Sequence, residues 1–167
     1  MEFKEFTIED FKGNPFEMLD KEWMLVTAGK PGDYNTMTAS WGGFGFIWDS
    51  PVAMIVVRLS RYTLEFVEKY DYFTVSFYPE SYRAALEFCG ANSGRDVNKA
   101  KEAGLSPIGV QGIDAVTFEE ARLTFVMRKL LHQDLSEPAF ADKKLFAENY
   151  PDGDIHRLFI GSIEQIG

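Results

Sequence analysis

Runs of apolar, β-branched and aromatic residues constrain the fold of this chain more than any other feature. Residues 51–57 are almost entirely apolar, and residues 72–78 alternate aromatic with smaller side chains. Both patterns are typical of β-strands, the first of a buried strand. Further strands are predicted at residues 22–28, 116–118, 121–131 and 155–163.

Helical patterns are short and lie between the strands. Apolar residues recur at helical spacing in 64–70, and Pro79 opens a second helix. Residues 95–103 predict a short polar helix ended by Gly104, and the acidic segment 136–150 predicts one more. Because the helices do not alternate regularly with the strands, the pattern favours a closed or nearly closed antiparallel barrel with peripheral helices over a doubly wound sheet.

Composition and charge exclude several classes of function. A chain of 167 residues, 46% hydrophobic, is expected to form a single domain, 1–167, with a substantial core. Its 26 acidic and 17 basic side chains give a formal net charge of −9, which opposes nucleic-acid binding.

No apolar run is long enough to span a membrane, and the charged N-terminus lacks a signal core, so a cytoplasmic protein is expected. Cys89 is the only cysteine, so no intrachain disulfide can form.

The stretch 58–63 (Arg-Leu-Ser-Arg-Tyr-Thr) is the strongest candidate for binding an anion. It lies between a predicted strand and a predicted helix, with Ser60 or Thr63 as candidate N-caps. A helix start has unpaired N–H groups that suit a phosphate, and the guanidinium groups of Arg58 and Arg61 add fork-shaped donors. Taken alone, the stretch fits a solvated helix start with surface arginines equally well.

Two further segments carry side chains that suit a ligand. Residues 35–41 (Asn-Thr-Met-Thr-Ala-Ser-Trp) are small or hydroxyl-bearing and precede a glycine-rich stretch, so their backbone is expected to approach a flat heterocycle; the alternative is a polar strand with a bulge. Residues 89–96, with Lys99 beyond them, predict either a second anion-binding edge or a turn in which Ser93 or Asp96 caps the next helix. Cys89 lies on an apolar helix face and is predicted to be a buried core residue.

The histidines and glycines exclude other chemistries. His132 and His156 have no partners at zinc-ligand spacing, so no metal site is predicted. The glycines at 42–45 lack the Gly-Lys-Ser/Thr that completes a phosphate loop, and they do not form a dinucleotide fingerprint. No local signature of a serine–histidine–acid triad is present.

Four segments together resemble the flavin reductase-like family of FMN-binding split-barrel proteins, most closely its flavoredoxin-like branch. They are residues 35–43, 58–63, 89–96 and 156–161, in order along the chain. The resemblance implies a mainly β fold with peripheral helices, a six-stranded antiparallel split β-barrel with Greek-key topology. It also implies a homodimer with FMN at the subunit interface.

The resemblance also implies roles for the residues in these segments. The segment 36–41 would line the isoalloxazine ring, the stretch 58–63 would hold the phosphate, and the loop 93–99 would complete the site. His156, the one catalytic candidate, would lie near the flavin or nicotinamide pocket. The implied cofactor-binding residues are Asn35, Thr36, Met37, Thr38, Ala39, Ser40, Trp41, Arg58, Ser60, Arg61, Tyr62, Thr63, Cys89, Ser93, Gly94, Arg95, Asp96 and Lys99.

The function implied is that of an oxidoreductase using FMN. Reducing equivalents would pass from NADH or NADPH to flavin or to a protein acceptor, with the flavin carrying the redox chemistry. The alternative is a flavoredoxin-like electron carrier, or a flavin-binding module, that does not itself oxidise NAD(P)H. No residue pattern distinguishes NADH from NADPH.

Overall fold

A computed structural model describes all residues, 1–167, as an antiparallel β-sheet with short helices around it. The strands are β1 (Lys4–Glu5), β2 (Met24–Lys30), β3 (Asp33–Ala39), β4 (Gly42–Ile47), β5 (Ser50–Arg58), β6 (Tyr72–Phe77), β7 (Pro107–Gly109), β8 (Val116–Phe118), β9 (Leu123–Asp134) and β10 (His156–Ile166). The helices are α1 (Pro15–Glu17), α2 (Thr63–Lys69), α3 (Arg83–Ala91), α4 (Lys99–Glu102) and α5 (Lys143–Asn149). Three 3₁₀ turns (Ile8–Asp10, Glu80–Tyr82 and Glu137–Ala139) and a π-helical turn (Met18–Glu22) complete the elements.

The main sheet has eight strands, paired in the order β3-β2-β6-β9-β10-β5-β4, with β1 added to the end of β10. β7 and β8 form a separate two-stranded sheet. The edge strands β3 and β4 are not paired with each other, yet only Ser40 and Trp41 separate them in the chain. The two open edges therefore meet at this short link.

The predicted fold class is confirmed, with more strands than expected. Five of the predicted strands lie in the main sheet, and the sixth, at 116–118, pairs with β7 instead. β1, β3 and β4 are the three additional strands of the main sheet, paired with β10, β2 and β5 respectively. All six predicted strands are present. The long run near 121–131 does pair with two neighbours, since β9 lies between β6 and β10.

The predicted helix caps are wrong at both sites. α2 begins at Thr63 after Tyr62, with no side-chain cap, because the Ser60 hydroxyl bonds elsewhere and Thr63 lies inside the helix. α4 is much shorter than the predicted helix 95–103, because Asn98 caps it instead of Ser93 or Asp96. The longest helix has nine residues, too few to cross a bilayer.

The core has two layers. The larger cluster lies within the curved sheet and includes the fully buried rings of Phe73, Phe77, Phe125 and Phe159. The smaller cluster packs α3 and α4 onto the sheet and contains Cys89, which is fully buried as predicted. The smaller cluster packs the segment after α3 against β3. The place where they meet forms one wall of the candidate site.

Candidate functional site

Two cavities lie on either side of the turn between β5 and α2. The first, the arginine cavity, has a volume of about 280 Å³ and the second, the lysine cavity, about 490 Å³. The arginine cavity is lined by Met37, Thr38, Ala39, Ser40, Trp41, Val56, Arg58, Arg61 and His156. The lysine cavity is lined by Gly32, Asp33, Tyr34, Asn35, Thr36, Tyr62, Phe66, Gly94, Arg95, Asp96, Val97, Asn98, Lys99 and Ala100.

Arg58 and Arg61 are the only two of the seven arginines without a carboxylate partner. Arg58 Nη1 donates to the carbonyl of Asp154 at 2.7 Å, and Arg61 Nη1 donates to the carbonyl of Gly90 at 2.9 Å. These bonds orient both guanidinium groups but leave their charges uncompensated. In a chain with a net charge of −9, two such charges in one cavity favour an anionic ligand.

Ser60 and Thr63 make their bonds within the chain and line neither cavity. The Asp154 carboxylate accepts from the Ser60 backbone N–H at 3.1 Å and from its hydroxyl at 2.7 Å. The buried Thr63 hydroxyl accepts from Asn35 Nδ2 at 2.8 Å. Ser60 could therefore bind a phosphate only if its N–H and hydroxyl broke their hydrogen bonds to the Asp154 carboxylate. Sequence reasoning missed Asp154. The Asp-Gly-Asp turn at 152–154, just before His156, was the pattern that could have pointed to it.

His156 forms the wall of the arginine cavity next to Arg58. The two residues are directly opposite each other in the β5–β10 pairing, which explains how positions so far apart in sequence meet. The His156 ring lies 5.2 Å from the Trp41 ring, centroid to centroid. Burial, together with the charges of Arg58 and Arg61, lowers the pKa of His156 to about 4. The imidazole is therefore neutral near pH 7.

Lys99 joins three elements at the edge of the lysine cavity. Its buried Nζ donates to the carbonyls of Thr36 in β3 and Cys89 in α3, each at 2.8 Å. Burial lowers the pKa of Lys99 to about 8. The Cys89 thiol lies in the core rather than in either cavity, and burial raises its pKa to about 11, so only its carbonyl takes part.

The loop after α3 forms the outer wall of the lysine cavity. The Arg95 guanidinium lies over the Tyr62 ring, 4.6 Å from its centroid, and pairs with Glu65 at 2.5 Å. Its charge is therefore compensated, unlike those of Arg58 and Arg61. Gly94 packs so tightly that a Cβ would lie 2.0 Å from Asn35 Oδ1. Ser93 lines neither cavity, and its hydroxyl accepts from the Arg95 N–H.

The structure thus sorts the predicted residues into two adjoining groups. The arginine cavity contains Met37, Thr38, Ala39, Ser40, Trp41, Arg58, Arg61 and His156. The lysine cavity contains Asn35, Thr36, Tyr62, Gly94, Arg95, Asp96 and Lys99. Ser60, Thr63, Cys89 and Ser93 line neither cavity. Sequence reasoning also missed Tyr150 and Glu65, which contact His156 and Arg95, because both lie outside the motifs and make these contacts only in the folded chain.

The antiparallel sheet has two open edges, and a cationic cavity lies beside the short link between them. The chain belongs to the flavin reductase-like domain family, whose family model matches residues 19–167. Its fold is that of the split-barrel proteins. No curated protein matches the sequence.

Three solved structures show the same fold at low sequence identity. Flavoredoxin of Desulfovibrio vulgaris has a TM-score of 0.68 and 20% identity over 87% of this chain and 68% of its own. An FMN-binding domain of a flavin reductase-like enzyme from Shewanella baltica has a TM-score of 0.69 and 18% identity over 99% of this chain and 77% of its own. An NADH:FAD oxidoreductase from Streptomyces globisporus has a TM-score of 0.65 and 14% identity over 87% of this chain and 74% of its own.

Proposed function

We propose that this chain is an FMN-binding oxidoreductase that takes reducing equivalents from NADH or NADPH and passes them to flavin or to a further acceptor. The observation that carries the proposal is the pair of uncompensated guanidinium groups, Arg58 and Arg61, in one cavity. Family membership and the similarity to an FMN-binding domain and an NADH:FAD oxidoreductase support it.

The residues present fit the chemical parts of FMN. Arg58 and Arg61 suit the phosphate, which bears negative charge and accepts several hydrogen bonds. Trp41 and the backbone of residues 37–40 offer a flat, partly apolar wall for a heterocycle. The lysine cavity, about 490 Å³, lies within the range of small-molecule sites, roughly 300–1,000 Å³, and the arginine cavity, about 280 Å³, is close to its lower limit. Arg95, Asp96 and Lys99 are proposed to complete the site from the lysine cavity.

The protein's contribution is binding, orientation and local charge. Bound FMN would supply the hydride and electron chemistry that no side chain of this chain can perform. Arg58 and Arg61 would hold the anionic end, and their carbonyl bonds keep both guanidinium groups in place before a ligand arrives. His156, neutral near pH 7, would offer a hydrogen bond on the nicotinamide or flavin side rather than a charge. Lys99 would keep the wall between the cavities rigid.

A homodimer with FMN at the subunit interface is proposed as the working form. Trp41, at the rim of the arginine cavity, is half exposed, and Phe46 and Trp48 on the β4 hairpin are 59% and 57% exposed. Large aromatic side chains exposed together support an interface there. Sedimentation velocity would test this, and a monomer at all concentrations with FMN present would contradict it.

The test of the proposed activity is spectroscopic. The purified protein should show a flavin absorption band, or gain one when FMN is added, and stopped-flow mixing with NADH or NADPH should bleach that band. A protein that binds FMN but leaves it oxidised with both donors would be an electron carrier, the alternative that the similarity to flavoredoxin supports. A protein that binds no flavin would refute both functions.

A further inference from the structure

A buried hydrogen bond links His156 to a residue outside the arginine cavity. Tyr150 Oη lies 3.0 Å from His156 Nδ1, and both residues are buried, at 7% and 8% exposure. Tyr150 immediately follows α5, and it does not line the cavity that His156 lines. The Arg58 guanidinium lies over the Tyr150 ring, 5.6 Å from its centroid. The two rings and the guanidinium group thus form one packed unit.

The position of the proton in this bond follows from the partners available. Burial raises the pKa of Tyr150, so the phenol keeps its proton near pH 7. Tyr150 Oη has no partner in the chain other than His156 Nδ1. If Nδ1 carried a proton, the phenol proton would have no acceptor, which is unfavourable for a buried group. The phenol therefore donates and Nδ1 accepts, and the ring proton of the neutral imidazole must be on Nε2.

Nε2 is the ring nitrogen left for a ligand. It makes no hydrogen bond within the chain. The only buried side-chain polar atom without a partner is Tyr78 Oη, so Nε2, which also has none, must retain accessible surface. The Nη1 atoms of Arg58 and Arg61 donate to backbone carbonyls and not to the imidazole. With Nε2 protonated, His156 adds a neutral donor to the guanidinium donors of Arg58 and Arg61 in the same cavity, which favours a ligand rich in acceptor oxygens.

We propose that Tyr150 is a positioning residue that fixes His156 as its Nε2–H tautomer, so that the imidazole donates a hydrogen bond to an acceptor oxygen in the arginine cavity. The tautomer is a property of the chain itself, whereas the identity of that oxygen, on bound FMN, rests on the proposed function. His156 is then a neutral donor beside two cationic donors and does not act as a general acid.

The tautomer can be read directly by NMR. Histidine-selective ¹⁵N labelling gives ring signals from only two residues, and a His132→Gln variant assigns those of His156. Two-bond ¹⁵N–¹H correlations distinguish protonated from unprotonated ring nitrogens. In the FMN-free protein at pH 7, His156 should show a protonated Nε2 and an unprotonated Nδ1. Tyr150→Phe should convert this single tautomer into a mixture, while Tyr70→Phe, whose hydroxyl bonds Asp33, should leave it unchanged.

The outcomes separate this proposal from the proposed function. A protonated Nδ1 in the wild-type protein overturns the positioning role, whether or not FMN binds. Identical spectra for the wild type and a folded Tyr150→Phe also overturn it, and if that variant does not fold, the wild-type spectrum alone decides. Adding FMN should shift the Nε2–H signal of His156 without changing the tautomer. Binding of FMN with no shift refutes the contact to the cofactor, and no binding at all refutes the proposed function but leaves the tautomer assignment standing.

Discussion

Replacing Gly94 with alanine should destabilise the protein by displacing Asn35. The new Cβ would lie 2.0 Å from Asn35 Oδ1 and 2.8 Å from its Cγ, closer than real Cβ contacts. Asn35 cannot retreat without losing the bond that its Nδ2 donates to Thr63 at 2.8 Å. Overpacking costs about 1–3 kcal/mol and the lost hydrogen bond about 1 kcal/mol, so a loss of about 2–4 kcal/mol is expected.

Thermal and urea unfolding would measure this loss. For a chain of this size, about 2–4 kcal/mol corresponds to a fall in Tm of about 4–16 °C. Gly45→Ala is the matched control, because its Cβ would meet only side-chain atoms at 3.9 and 4.0 Å. A double-mutant cycle gives the decisive result: Asn35→Ala removes the clashing amide, so Gly94→Ala should cost much less in that background. Strictly additive effects would show that Asn35 is not the obstacle to the new methyl group.

Three further substitutions test single contacts. Lys129→Met removes an ammonium group that donates to three carbonyls at the end of α2, and urea unfolding should show a loss of about 2–3 kcal/mol. His156, whose pKa is lowered from 6.5 to about 4, makes the folded state bind fewer protons than the unfolded state between these values. Stability should therefore fall as the pH drops from about 6.5 to about 4, by up to about 3 kcal/mol, and His156→Gln should lack this contribution while His132→Gln retains it. Lys99→Met should speed hydrogen exchange around residues 89–99 and weaken FMN binding, and unchanged exchange would show that its two carbonyl bonds do not hold the wall.

The strands were predictable because their patterns are local. Residues 51–57 and 72–78 carry enough apolar and aromatic side chains to identify strands without tertiary information, and they form β5 and β6. β1 was not predictable, because a two-residue strand is defined only by its pairing with β10. The caps of α2 and α4 were predicted wrongly because Ser60, Ser93 and Asp96 were judged by residue type alone. Contacts with Asp154 decide the bonds of Ser60, and Asn98 caps α4.

The candidate site was predictable as a set of segments but not as two cavities. The sequence shows the cationic side chains at 58, 61, 95 and 99, but it does not show which of them form ion pairs with carboxylates. Glu65 compensates the charge of Arg95, while Arg58 and Arg61 have only carbonyl partners, and this difference exists only in the folded chain. The neutral state of His156 likewise depends on burial beside Arg58, which the β5–β10 register brings about.

If the arginine cavity binds FMN through its phosphate, FMN and riboflavin, which lacks the phosphate, should bind with different affinities. Fluorescence titration should give much tighter binding of FMN, and added salt should reduce the difference. A hydrogen bond to a charged group contributes about 1.5–3 kcal/mol, so Arg61→Ala should weaken FMN binding about ten- to a hundredfold and leave riboflavin binding nearly unchanged. Arg128→Ala, which breaks a surface ion pair with Glu164, is the control and should change neither affinity. Equal affinities for FMN and riboflavin in the wild type, or binding of neither, would show that the arginine cavity does not bind the FMN phosphate.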